Sequence, residues 1–338
     1  MTNSKYTLNT KLFLWLALCI ITLQSCDKGS PCENKPDLSN IDIKLNFIAL
    51  EDQMMKLSDS SQVDSFAKQH PIIAQEFLNR AEYNSTNDFN VGVSELFSNP
   101  HIDTLHQEAK QYVTDVIDLK SELEEAFKMI KYNYPQFEAP TVKTVVSGLG
   151  KDLFISDSLI VIGLDYYIGE NAKYKPIGLP KYVLKRFQRE YIVPSIVLLI
   201  SNKFNASNLN DKTLLAEMIY YGKSYQFAKE ILPCTPDSVI LGYTAQDIQG
   251  AEENQHIIWA NIIENEMLYS TSHVDKGRFI NERPKTLEIG PKCPGRIGHF
   301  IGWKIIQNYT NESPESLSKM MEHMDAPSMF KKSKYKPS

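Results

Sequence analysis

The sequence lacks most of the short patterns that carry common chemistries. None of its seven His residues begins an H-x-x-x-H pair, and no Cys-x-x-Cys occurs. The usual helical and knuckle zinc sites are therefore missing. His101 and His106 are five apart, which puts them about 140° apart around a helix and on different faces. G-x-S-x-G, G-x-x-x-x-G-K-[ST] and G-x-G-x-x-G are also absent, which removes the nucleophile elbow, the P-loop and the dinucleotide fingerprint. Basic residues do not dominate. The 36 Lys+Arg face 41 Asp+Glu for a formal charge of −5, so a nucleic-acid partner is not expected. Long apolar runs are missing too: none reaches the roughly 18 residues read as a transmembrane helix. The 15 Gly and 17 Pro are near average usage and exclude collagen-like and low-complexity classes. What is present is a hydrophobic fraction of 42%, enough for a sizeable core in one to three domains.

The amino terminus reads as an address. Residues 1–11 carry Lys5 and Lys11 and no acid, and an apolar stretch runs from Leu12 to Leu23, broken only by Thr22. That is too short to span a bilayer and fits the hydrophobic region of a signal peptide. Leu23-Gln24-Ser25-Cys26 then has the form of a bacterial lipobox. The expectation is cleavage after residue 25 and acylation of Cys26, with two or three acyl chains anchoring the protein stably to a lipid bilayer. The mature chain would be more acidic by two, since the leader holds two Lys. Residues 26–40 read as the acylated Cys and a polar tether. Cys19 leaves with the leader, so Cys32, Cys234 and Cys293 remain. Three is odd and excludes a complete disulfide framework. Cys234 and Cys293 sit in loop-like stretches and are candidates to pair; Cys32, in the tether, is expected to play no structural part.

Residues 41–330 read as a single domain, followed by a basic tail at 331–338. Alternation over Asn40–Leu50 suggests a strand. Ser58–Arg80 looks helical and divided at Pro71, and His101–Tyr134 is the longest helical pattern, stopped by Pro135. The period then changes: Thr141–Val146 and Leu159–Leu164 are β-rich, with Phe154-Ile155 as an edge segment. Helices are expected at Lys181–Val193, at Ser195–Phe204 after Pro194, and at Thr213–Leu232 behind an Asp211 cap. Others follow at 244–268 behind a Thr244-x-x-Asp247 box, at Pro294–Tyr309, and after Ser313-Pro314-Glu315. The fold class is α+β, a mainly helical body around one small sheet.

Two segments stand out. In Leu214–Tyr225, Tyr221 and Tyr225 share a helix face with Met218 a turn earlier, and Gly222 interrupts the helix at about 1 kcal/mol relative to Ala. Such a glycine marks close approach of another backbone. In Pro294-Gly295-Arg296-Ile-Gly298-His-Phe-Ile-Gly302-Trp303, glycines three and four apart line one face and admit a neighbouring element. Core packing explains both; a binding surface is the alternative, with Arg296 as the candidate anion or partner contact. Glu252 and His256 are i,i+4, a spacing compatible with a metal but ordinary for a solvated acid–His pair. The acidic turn Glu122–Glu125 is read the same way.

With these residues and the lipobox, the chain resembles the GldB family of gliding motility lipoproteins of Bacteroidota. The resemblance is carried by Asp157–Gly169, Asp211–Lys223, Gly242–Ile248, Glu266–Ser270, Pro294–Trp303 and the tail Phe330–Pro337. That family is more distantly similar to predicted zinc peptidases of zincin-like fold, in which H-E-x-x-H lies on a helix after a small sheet. By that resemblance Met218-Ile219-Tyr220-Tyr221-Gly222 stands in the place of H-E-x-x-H, with two ligands and the general base replaced. Glu264 or Glu266 would stand near a third ligand, and neither restores zinc chemistry alone. The resemblance therefore implies a non-enzymatic cell-envelope lipoprotein required for gliding, without cofactor or metal. It would face the periplasm from the outer membrane and act in assembly or coupling with envelope proteins of the motility and type IX secretion machinery. The vestigial cleft would comprise Met218, Tyr220, Tyr221, Gly222, Lys223, Glu266, Gly295, Arg296, Gly298, Gly302 and Trp303. The alternatives are a residual metal-dependent hydrolase using His256 or His299, and a glycan- or peptide-binding lipoprotein.

Overall fold

The computed structural model describes residues 32, 35–112 and 116–337, without the side chains of 116 and 117. The chain divides into a unit at Met1–Pro36 and a compact unit at Asp37–Ser338. The leader, Cys26 and most of the tether lie outside the described residues. Cys32 and Cys234 are each disulfide-bonded and Cys293 is a free, half-buried thiol. This corrects both cysteine expectations: Cys293 is not a disulfide partner, and Cys32 has a structural role.

The sheet has four strands, β1 (Phe47–Ala49), β2 (Thr141–Val145), β3 (Leu153–Ile155) and β4 (Leu159–Gly163), in the order β1-β2-β4-β3. The first three in space are parallel, and β3 pairs antiparallel on the edge of β4. Ile160, Val161 and Ile162 are all fully buried, so β4 is covered on both faces, as its unbroken apolar run requires. β1 is shorter than the alternation at 40–50 suggested. Its partner strand begins at Thr141 after Pro140, which lacks a ladder donor, and Val142 N already donates to Asn46 O at 2.9 Å.

The described helices that frame this sheet are α1 (Ser60–Gln69), α2 (Pro71–Glu76), α3 (Thr86–Phe97), α4 (Pro100–Tyr112), α5 (Val116–Asn133), α6 (Ile192–Ser201), α7 (Leu214–Ile231), α8 (Asp237–Leu241), α9 (Ala245–Glu253), α10 (Gln255–Glu264), α11 (His273–Ile280), α12 (Ile297–Glu312), α13 (Leu317–Glu322) and α14 (Ala326–Ser333). The architecture is α+β. Pro71 divides the first helical stretch as expected. The long 101–134 pattern is carried by two helices, with 113–115 between them outside the described residues. Pro194, however, does not break a helix. It lies in the first turn of α6, where a missing N–H costs nothing, while Lys181–Leu184 is an isolated turn. Thr213, not Asp211, caps α7 by accepting from Ala216 N at 3.2 Å. Asp211 instead holds Thr213, accepting from its N–H at 3.0 Å and its hydroxyl at 2.7 Å. Helices α3, α8, α11 and α14 were not anticipated. The last runs into the stretch read as a basic tail, where Ser333 and Tyr335 are buried.

Leu123, Phe127 and Ile130 of α5 are fully buried. Just beyond it Tyr134 stacks on Phe204 at 3.9 Å, and Phe204 on Phe227 of α7 at 5.7 Å. This aromatic column ties α5, the end of α6 and α7 together. At the end of β4, the fully buried Asp165 accepts from the backbone N–H of Ser147 at 3.0 Å and of Leu149 at 2.6 Å. It thereby braces a loop in which Gly148 and Leu149 both take positive φ. Burial pushes the Asp165 carboxyl up to about 6, against the surrounding backbone N–H groups, Leu149 and Ser147 foremost, that pull it down. A raised carboxyl binds its proton more tightly in the folded state, so its contribution is full below pH 3.8 and is lost as pH rises through 6. Asp165→Asn should therefore gain about 2 kcal/mol relative to wild type between pH 4 and pH 7, read from urea unfolding of both proteins at the two pH values. A pH-independent difference would sink this account.

Candidate functional site

The two glycine-bearing segments meet each other. Gly222 of α7 lies against Gly302 of α12 so closely that a Cβ on Gly222 would fall 2.9 Å from Trp303 N and closer still to Gly302 O. A Cβ on Gly302 would sit 3.0 Å from Met218 Cα and inside the contact radius of Met218 O. Gly298 faces Met218 and the end of α11, 3.4 Å from Met218 Cγ and 3.1 Å from Phe279 O by the same construction. Met218, Gly222, Gly298 and Gly302 are thus a backbone-to-backbone helix contact, with Met218 and Ile219 buried. Gly295 precedes it in a tight turn: its added Cβ would strike Arg283 O, and its carbonyl accepts from Tyr243 Oη at 2.7 Å. Arg296 then takes φ +57 as the residue before α12, so the helix starts at Ile297 and not at Pro294.

Side chains on either flank of this contact carry the polar chemistry. On one side Lys223 is buried, yet its Nζ donates to Ala206 O at 2.5 Å, His323 O at 2.7 Å and Met321 O at 3.1 Å. Burial pushes its ammonium down to about 8. Tyr220 and Tyr221 rim a cleft of about 420 Å³ beside it, with Leu209, His273 and Met324. Trp303 is buried and donates from Nε1 to Gln226 Oε1 at 3.0 Å.

Within the contact, the Tyr221 ring stacks on His299 at 3.8 Å and 16°, and Tyr225 Oη lies 3.0 Å from His299 Nδ1. Burial, then the neighbouring Arg296, hold His299 well below the ordinary histidine range, so it is neutral at physiological pH. Arg296 Nη1 donates to Tyr225 Oη at 3.5 Å and Nη2 donates to Leu241 O at 3.0 Å. A guanidinium only donates, so the Tyr225 hydroxyl is left to donate to Nδ1. Arg296 also meets Glu282 at 3.4 Å, and Arg186 meets the same carboxylate at 2.7 Å. A second cleft, of about 440 Å³, opens here between Arg186 and Arg296.

Glu266 stands apart. It is exposed, takes φ +55 and lines a shallow depression with Ile263 and Tyr269. His256 is exposed on α10, and Glu252 pairs with Lys304 at 2.8 Å. Among the described residues no group of three or more His, Cys, Asp or Glu is placed to hold a metal ion, and no described helix is long and apolar enough to cross a membrane. Arg186 and Glu282 were not singled out from sequence, because they lie 96 positions apart and only the fold pairs them. No curated protein and no solved structure matches the chain. The glycine-matched helix pair and the braced loop at the strand ends extend over a stretch that one family model covers almost completely: the model described as gliding motility protein GldB matches residues 31–337, and the chain belongs to that family.

Proposed function

We propose that this gliding motility protein is a non-catalytic assembly or coupling component of the cell envelope. It is held by an acylated Cys26, faces the periplasm from the outer membrane, and works with the motility and type IX secretion machinery. One observation carries the reading: the stretch expected to stand in the place of a peptidase motif is spent on helix packing. Met218 and Gly222 face α12 at backbone distance, and Ile219 is buried beside them. Methionine, isoleucine and glycine offer neither the ligand set nor the general base that zinc-activated water needs. The residues left at the surface, Tyr220, Tyr221 and Leu209, are aromatic and aliphatic, of the kind that partner contacts favour.

Photo-crosslinking from Tyr220 and Leu209 in gliding cells should yield discrete adducts with envelope proteins, and deletion should stop gliding and lower secretion. Normal secretion in the deletion strain together with no adducts would remove the proposal. The catalytic alternative is tested separately on metal-stripped protein. Zinc added and dialysed should not remain bound; stoichiometric retention that is lost in His299→Ala would revive a hydrolase.

A further inference from the structure

Two guanidinium groups share one carboxylate at the edge of the second cleft. Glu282 Oε2 lies 2.7 Å from Arg186 Nη2 and 3.4 Å from Arg296 Nε, so the trio carries one uncompensated positive charge. Arg296 is largely sequestered, its side chain 12% exposed, and Arg186 is 24% exposed. The walls beside them are Tyr167, Phe187, Leu198 and Ile240, interrupted by Ser195 and Asp152. That excess charge beside apolar walls is poorly solvated, so an incoming anion gains more there than in water, with the Asp152 carboxylate of the same cleft opposing part of the gain. Guanidinium pairs also match the planar fork of a carboxylate.

We propose that this cleft binds the C-terminal carboxylate of an extended peptide segment, with Arg186 and Arg296 as the anion subsite and Glu282 as a built-in competitor. The apolar walls receive the terminal side chain, and Ser195 and Asp152 are acceptors for the peptide N–H groups that follow. Glu282 already occupies part of the space between the two guanidiniums and is itself 41% exposed, so it can swing toward solvent when a terminal carboxylate replaces it. A chain end brings a charge to that position, which an internal peptide bond does not.

The test uses the purified full chain and the tripeptides Ala-Ala-Leu and Ala-Ala-Phe, each as free acid and as C-terminal amide, followed by calorimetric titration. The free acids should bind, and the amides should bind at least about tenfold more weakly. Glu282→Gln removes the competitor and should tighten the free acids by about tenfold, whereas Arg186→Gln should weaken them by at least about as much. Arg296→Gln is avoided as the primary variant because Arg296 also holds Leu241 O. Unchanged far-ultraviolet circular dichroism in both variants separates binding from folding. Equal binding of acid and amide, no binding by wild type and Glu282→Gln alike, or no opposite response of the two variants would overturn the proposal. Binding of 4-methylpentanoate as tight as Ala-Ala-Leu would overturn the peptide assignment. Purified components suffice, so a failure here leaves the assembly role standing.

Discussion

Gly302→Leu is expected to cost about 4 kcal/mol or more, at the upper end for a single overpacking substitution. The reason is the identity of the atoms in the way. A Cβ at Gly302 meets the carbonyl carbon of Met218 at 2.5 Å and its Cα at 3.0 Å, and backbone atoms have no rotamer into which to retreat. The axes of α7 and α12 must separate, which opens the packing around Phe300, Trp303 and Phe227, all essentially buried. Gly222→Ala should act in the same direction, since its Cβ would meet Gly302 O, Gly302 C and Trp303 N. The control is Gly250→Ala in α9, where an added Cβ has nothing within 4 Å. There the helix propensity gain should stabilise by about 0.5–1 kcal/mol. Equilibrium urea unfolding of the three variants separates the effects. A loss at Gly302→Leu no larger than about 1 kcal/mol would mean that the helices slide apart cheaply.

Lys223→Ala should cost about 3–5 kcal/mol. Its ammonium satisfies three carbonyls, two of which, Met321 and His323, belong to the end of α13. Carbonyls at a helix end have no partner within the helix and attract a cation. The third, Ala206 O, belongs to the loop after α6, so one side chain ties three segments to α7. Truncation removes the donor to the half-buried Ala206 O and His323 O, while Met321 O keeps the Ala206 N–H at 3.0 Å, and leaves a cavity in place of the aliphatic stem. Lys223→Met restores the stem and should recover less than half of the loss, because Ala206 O and His323 O stay without that donor. The pH dependence follows from the direction of the shift. The folded amine, pushed to about 8 from 10.5, binds its proton less tightly than the unfolded one. Wild-type stability relative to Lys223→Met should therefore rise as pH goes from 8 toward 10.5. A fall over that window would show that the carbonyls outweigh burial and hold the ammonium charged, whereas a Met variant as stable as wild type at pH 7 would show that the carbonyl contacts contribute little.

Much of this was legible in the sequence, and the parts that were share a cause. Local rules placed β2 and β4 from their β-branched runs, divided the first helical stretch at Pro71, and set the Thr244 cap. In each case the deciding interaction lies within a few residues. The glycines of 214–225 and 294–303 even announced a close backbone approach, because a glycine that weakens a helix by about 1 kcal/mol needs a compensating contact. Their order and spacing, with the lipobox and the matching segments, also carried the family.

What the sequence left undecided depends on pairs far apart along the chain. It marked two glycine faces without saying that they are each other's partner. It named Arg296 as a candidate anion contact, yet Glu282 and Arg186 complete that cluster from distant positions. Lys223 read as one more residue of a motif, and only the fold brings three carbonyls around it. The cysteines show the same limit: counting gave an odd number, but which thiol stays free is fixed by distance in space. Composition and local pattern thus settled the class and part of the elements, and the matched segments carried the resemblance to the family. The tertiary structure decided which groups are buried together, because burial makes an unpaired charge or carbonyl costly and so dictates its partner.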